Sequence, residues 1–185
     1  MVGKAMSDNE LVEAAVGGDE RAFTSLVRQH ADAVYGHALR FFGDQSTAED
    51  ATQEVLLKVF RSLATFDHRS SFSTWLYRVT RNVCLDMLRR GARQPLPVDP
   101  VDLVPAPVSD FADSVANRTA VEQAMRALSP EDRAALDAVT LFDLSYEQAA
   151  EALGIPQGTV KSRVFRARRV LVSMLVPVEL TERGA

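Results

Sequence analysis

Residues 94–116, QPLPVDPVDLVPAPVSDFADSVA, hold five of the chain's eight prolines, four aspartates and no base. Proline removes a backbone donor and pushes the preceding residue away from helical geometry, so no packed helix runs through this stretch. It divides the 185 residues into two units, 1–93 and 117–185, joined by an extended tether. Residues 1–93 carry 12 bases and 12 acids and residues 117–185 carry 9 of each, so the tether alone supplies the net charge of −4. Such a strand, acidic with scattered Val, Leu and Phe, suits a solubilising spacer. It equally suits a segment lying in a basic channel of a partner in place of a nucleic-acid backbone.

Both flanking units read as helical, and the chain is expected to be all-α. Four helix starts carry a Ser followed three residues later by a residue that can reach back to the free amides: Ser7 with Glu10, Ser46 with Glu49, Ser129 with Asp132, Ser145 with Gln148. No alternating, turn-bounded β-branched run accompanies them. In the first unit the pattern predicts helices over 8–16, stopped by Gly17-Gly18; 20–42, stopped by Gly43; 47–63; and 73–90, ended by Gly91. In the second it predicts helices over 118–127, 130–142, 146–153 and 156–175.

Two helices of the first unit carry more than a core stripe. In 47–63, Ala48, Ala51, Val55, Val59 and Leu63 recur at helical spacing and face inward. Glu49, Asp50, Gln53 and Glu54 collect on the other side beside Leu57, an acidic face that suits the positive end of the helix dipole and can also dock a basic partner. From His68 to Arg93 there are six arginines against Asp86 alone, interleaved with Phe72, Trp75 and Tyr77. Arginines beside rings form the composition of a surface for single-stranded nucleic acid. Trp75 shares a helical stripe with Leu76, Val79 and Val83 and is expected in the core rather than on that surface.

In the second unit only Gly154 and Ile155 separate two expected helices, the spacing of a helix-turn-helix whose second helix enters the major groove. That helix carries TVKSRVFRARR, five bases and no acid in eleven positions. At roughly 100° per residue, Val160, Val164, Ala167 and Leu171 form a buried stripe while Lys161, Ser162, Phe165, Arg166 and Arg169 gather opposite. A solvated helix face normally intersperses acids among its bases. Phe165 has no core to join there, and a thymine methyl or base-pair edge would cover it. Arg163 lies nearer the apolar edge and suits a phosphate contact.

Other classes of function find little purchase. No stretch approaches the roughly 20 apolar residues of a membrane span, and MVGKAMSDNE lacks the apolar core of a signal peptide, so a cytoplasmic protein is expected. The lone Cys84 is expected as a buried small residue. His30, His37 and His68 have no carboxylate at helical spacing to complete a metal or catalytic site, and no Gly-rich phosphate loop or nucleophile motif occurs, so no cofactor and no enzymatic activity are expected.

Three stretches in series, STAEDATQEVLLKVFRSLATFD, FSTWLYRVTRNVCLDMLRR and LSYEQAAEALGIPQGTVKSRVFRARRVL, resemble the extracytoplasmic-function (ECF) group of bacterial sigma factors over nearly the whole chain. The resemblance implies a transcription initiation subunit, monomeric when free, that binds core RNA polymerase and promoter DNA. The 1–93 unit would be of the region 2 type, holding the polymerase clamp helices through Glu49, Asp50, Gln53, Glu54 and Leu57. It would capture the −10 element through the loop Asp67, His68, Arg69, Ser70, Ser71 and Phe72, with Asn82 nearby and Arg81, Arg89 and Arg90 on phosphates. The 117–185 unit would be of the region 4 type and read the −35 element through Thr159, Lys161, Ser162, Arg163, Phe165, Arg166 and Arg169. It also implies an anti-sigma partner and a tether that threads toward the RNA exit path. The alternative is a stand-alone helix-turn-helix regulator, which leaves the acidic face and the His68–Arg93 surface without a purpose.

Overall fold

The computed structural model describes residues 6–93, 120–121 and 123–175, so the expected 94–116 tether lies outside the described residues. Four helices build the first unit: α1 (Asp8–Val16), α2 (Glu20–Phe42), α3 (Gln45–Ser62) and α4 (Phe72–Arg93), with a 3-10 turn at Leu63–Thr65 after α3. A helical segment at 120–121 and 123–126 precedes α5 (Pro130–Thr140), α6 (Tyr146–Leu153) and α7 (Gln157–Leu175). No strand occurs among the described residues, as an all-α chain requires.

Local chemistry sets most of these bounds. Ser7 and Ser145 each form the reciprocal capping box with Glu10 and Gln148, and Ser129 caps the amide of Asp132. Gly43 closes α2 at φ 80°, a left-handed position that glycine fills without steric cost. The residue after it displaces the expected Ser46 start. Asp44 is extended and accepts from Thr47 N, so α3 begins two residues early. Asp and Ser cap equally well, and the first one past the glycine break wins. At the far end α4 runs on through Gly91 to Arg93, because a helical glycine costs only about 1 kcal/mol against alanine and is no stop by itself.

Val12, Leu26, Val34, Val55, Val59 and Leu76 pack the first unit, and Leu136, Val160, Val164 and Ala167 the second. Each buried Val or Leu among them contributes roughly 1.5–3 kcal/mol. The two units are not held apart. Tyr77 on α4 is fully buried, stands edge-on to Phe142 at 5.1 Å between ring centres, and donates its hydroxyl to Ala134 O at 2.9 Å. Burial pushes the Tyr77 phenol well above its ordinary range.

The centre of this seam is ionic. Asp137 on α5, only 1% exposed, takes His37 Nδ1 at 3.0 Å on one oxygen and Arg40 Nη1 at 2.6 Å on the other, both from α2. Arg133 returns a bond to Arg40 O at 3.0 Å, and at the rim Arg78 pairs with Glu151 at 2.9 Å. A carboxylate removed from water in this way is tolerable only because both of its oxygens are paired.

Candidate nucleic-acid interface

The basic strip sits where the turn delivers it. Gly154, at φ 68°, donates to the last carbonyls of α6, and α7 starts three residues later with Val160, Val164 and Ala167 facing inward. Lys161, Ser162, Phe165, Arg166, Arg168 and Arg169 are all exposed, with Phe165 at 63%. The Arg169 guanidinium lies 5.9 Å from the Phe165 ring centre, and Lys161 lies 5.9 Å from that of Tyr146. Thr159 is half-buried in the first turn, where its carbonyl accepts from Ser162. The expectation of an acid-free face is corrected at one position. Asp132, in the first turn of α5, holds Arg166 in a two-pronged pair at 2.7 and 3.2 Å, which raises the guanidinium pKa further. Arg163 is half-buried and turns toward the seam rather than toward this face.

On the first unit, the loop before α4 presents Asp67, His68 and Arg69 to solvent. His68 takes a positive φ of 56° with its ring on Phe66 at 4.6 Å, and Arg69 pairs with Asp67 at 3.1 Å. Ser70 and Ser71 are half-buried, and the Ser71 hydroxyl accepts from Thr74 N in the first turn of α4 and from Gln148 across the seam. Phe72, expected at the end of the loop that walls the −10 pocket, is only 2% exposed. It is buried against His30 and Trp75, inside the aromatic cluster that also holds Phe66. The charge count of α4 is likewise more balanced in space than in sequence. Arg89 pairs with Asp86 at 2.8 Å, and Arg90 grips both oxygens of Glu54 at 2.7 and 2.8 Å, while Arg81 is half-buried at the seam.

The face of α3 keeps Glu49, Asp50 and Gln53 exposed, with Glu54 half-buried under Arg90. Leu57 stands 53% exposed among them, and Phe60, a residue absent from the expected set, stands 66% exposed with its edge on Phe23. Its signal was present in the pattern, one turn past Leu57 and off the Ala48–Val59 stripe. Between α3 and α4 a cavity of about 410 Å³ places Asn82 opposite Glu54, Leu57 and Lys58. The acidic and the arginine-bearing surfaces therefore share a border.

Two of the three histidines have acid partners that spacing along one helix could not reveal. His30 pairs with Asp8 of α1 at 3.1 Å, and His37 with Asp137. Among the described residues no three His, Cys, Asp or Glu side chains group as metal ligands, and no helix is long and apolar enough to cross a membrane. Cys84 is fully buried, and burial pushes its thiol up to about 12.

The family description Sigma-70 region 2 matches residues 26–94, and Sigma-70, region 4 matches residues 118–171. The chain is 43% identical over 164 residues to the ECF RNA polymerase sigma factor SigE of Mycolicibacterium smegmatis, covering 83% of this chain and 63% of that relative. It is 38% identical over 170 residues to the ECF RNA polymerase sigma factor SigM of Mycobacterium tuberculosis, covering 91% of this chain and 85% of that one. Among solved structures, the sigma factor RpoE of Bartonella quintana, crystallised with the anti-sigma factor NepR, superposes with a TM-score of 0.64 at 27% identity, over 83% of this chain and 96% of that chain.

Proposed function

The chain belongs to the ECF group of RNA polymerase sigma factors, and from that premise we propose that its two helical units divide promoter recognition between them on core polymerase. The exposed α3 face, with Glu49, Asp50, Gln53, Glu54, Leu57 and now Phe60, docks the clamp helices. The loop Asp67–Ser71 with Asn82, Arg81, Arg89 and Arg90 takes the −10 element, and Lys161, Ser162, Phe165, Arg166 and Arg169 of α7 read the −35 element. The chain supplies promoter choice, and the chemistry of RNA synthesis belongs to the polymerase.

One observation carries this reading: a phenylalanine 63% exposed amid four bases on the second helix of a helix-turn-helix. Apart from the Arg169 guanidinium 5.9 Å from its centre, the ring has little to cover it within the chain, and base-pair edges supply that cover. Surface ion pairs such as Arg166–Asp132 and Arg90–Glu54 are weak and screened by solvent, so phosphates or base edges can take over these arginines at small cost.

Reading both elements requires the seam to open. The −10 and −35 elements lie about 25 base pairs apart, or about 85 Å of B-form DNA at about 3.4 Å per pair. In the closed form, α2 and α5 are within hydrogen-bond distance. A tether of 94–116 can reach roughly 75–80 Å when extended, which is the scale required. The closed arrangement is also the one an anti-sigma protein would hold, a reading supported by the likeness to the RpoE–NepR complex. Run-off transcription with reconstituted core polymerase tests the function. A discrete start that requires both promoter elements is expected, whereas operator binding without any transcript would identify a stand-alone regulator.

A further inference from the structure

At the seam lies a cavity of about 350 Å³ whose walls come from both units: Phe41 of α2, Arg81, Leu85 and Leu88 of α4, and Arg133 and Asp137 of α5. Leu153 and Arg163 close its far side. Its volume falls at the lower end of the range for small-molecule sites.

Two nitrogens bordering this space are buried and have no hydrogen-bond partner among the described residues, His37 Nε2 and Arg133 Nε. Both belong to groups already fixed in place. His37 is only 3% exposed and is tied through Nδ1 to Asp137, and Arg133 is tied through its terminal nitrogens to Arg40 O and Leu128 O. A buried polar atom left unpaired costs free energy that a ligand atom can recover. Arg81 and Arg163 flank them, each half-buried and without a carboxylate partner among the described residues. Of the two acids in the wall, Asp137 is consumed by His37 and Arg40, and only Glu131 opposes the three arginines. The remaining wall, Phe41, Leu85 and Leu88, is apolar.

We propose that this cavity binds a small amphipathic anion, an alkyl or aryl carboxylate or sulfonate. Its head is held by Arg81, Arg133 and Arg163, its body lies against Phe41, Leu85 and Leu88, and a hydroxyl or N–H group, where the ligand carries one, satisfies His37 Nε2. Because the walls belong to two units, the ligand binds only while they are together. Resting on the promoter-reading function above, the consequence is that the ligand opposes opening and lowers transcription.

The full chain titrated with 8-anilino-1-naphthalenesulfonate should give a saturable, one-to-one fluorescence gain that octanoate reverses. Arg81→Glu combined with Arg163→Glu should weaken the probe at least about tenfold. Leu85→Trp, which fills the space without altering charge, should block it as well. Phe165→Ser, which removes the exposed ring of α7, should change nothing. Probe affinity that survives both cavity variants, or that disappears with Phe165→Ser, would overturn the proposal. These readouts involve neither DNA nor polymerase, so they stand or fall apart from the sigma function. The regulatory consequence has its own check: octanoate should depress run-off transcription by the wild-type chain and leave the Leu85→Trp protein unaffected, and equal depression of both would refute it.

Discussion

The arginines of α4 and those of α7 look alike in sequence and differ in what they are doing. On α4 and its preceding loop, Arg69, Arg78, Arg89 and Arg90 are each paired with a carboxylate. On α7 only Arg166 has a carboxylate partner among the described residues, and Lys161 and Arg169 lie over aromatic rings. The surface proposed for the −10 element is thus largely neutralised in the closed chain, and the surface proposed for the −35 element is largely open. A count of bases measures how much charge a segment holds, and the neighbouring helices decide how much of it is free to meet a phosphate.

The largest effect should come from the seam that separates those two surfaces. Asp137→Ala leaves His37 and Arg40 without their shared acid, and breaking a buried pair in this way costs about 3–5 kcal/mol. Thermal unfolding should show a much lower Tm than for Glu54→Gln, which breaks the exposed pair with Arg90 and should cost under about 1 kcal/mol. Similar losses from the two would erase the distinction between seam and surface. Replacing Asp50 and Glu54 together by Lys should abolish co-purification with core polymerase and leave helix content unchanged; retained co-purification would remove α3 from the docking role.

On α7, Arg166→Ala should weaken recognition of a matched −35 sequence by about 1–3 kcal/mol if its contact is bidentate to a base. An equal loss on a scrambled sequence would make Arg166 a phosphate contact. Asp132→Asn sharpens the test: it frees Arg166 from its intramolecular partner and should tighten DNA binding modestly. The smallest effect is alkaline. Burial holds the Cys84 thiol neutral, from an ordinary 9.0 up to about 12, so its contribution is complete below about pH 9 and is lost as the pH rises through that window. Denaturant unfolding at about pH 8 and about pH 10 should show a shallower loss for Cys84→Ala than for wild type, with Tyr77 acting in the same direction in both.

Much of the fold was legible because helix boundaries are local events. The capping serines, Gly43 and Gly154 act on amides and carbonyls within four residues, and the Ala48–Val59 stripe needs only a period. The start of α3 was displaced by a local competition, Asp44 against Ser46. The rest of the site depended on contacts that no window contains. His37 and Asp137 are a hundred positions apart, and Arg166 and Asp132 are separated by thirty-four. Phe72 carried the same aromatic signal whether exposed or buried, and only its neighbours His30 and Trp75 decided the matter. His30 and His37, unpartnered along their own helix, found their acids on other helices.

The central claim is that two readers clasped at the seam must separate on a promoter. Spin labels placed by Ser25→Cys on α2 and Ser173→Cys on α7 report it directly, since both positions are exposed and the native Cys84 is buried. Pulsed dipolar measurements on the free chain should give one short distance, and core polymerase with promoter DNA should lengthen it by tens of ångströms, toward the roughly 85 Å that separates the two elements. A distance that stays short in complexes active for transcription would contradict the account.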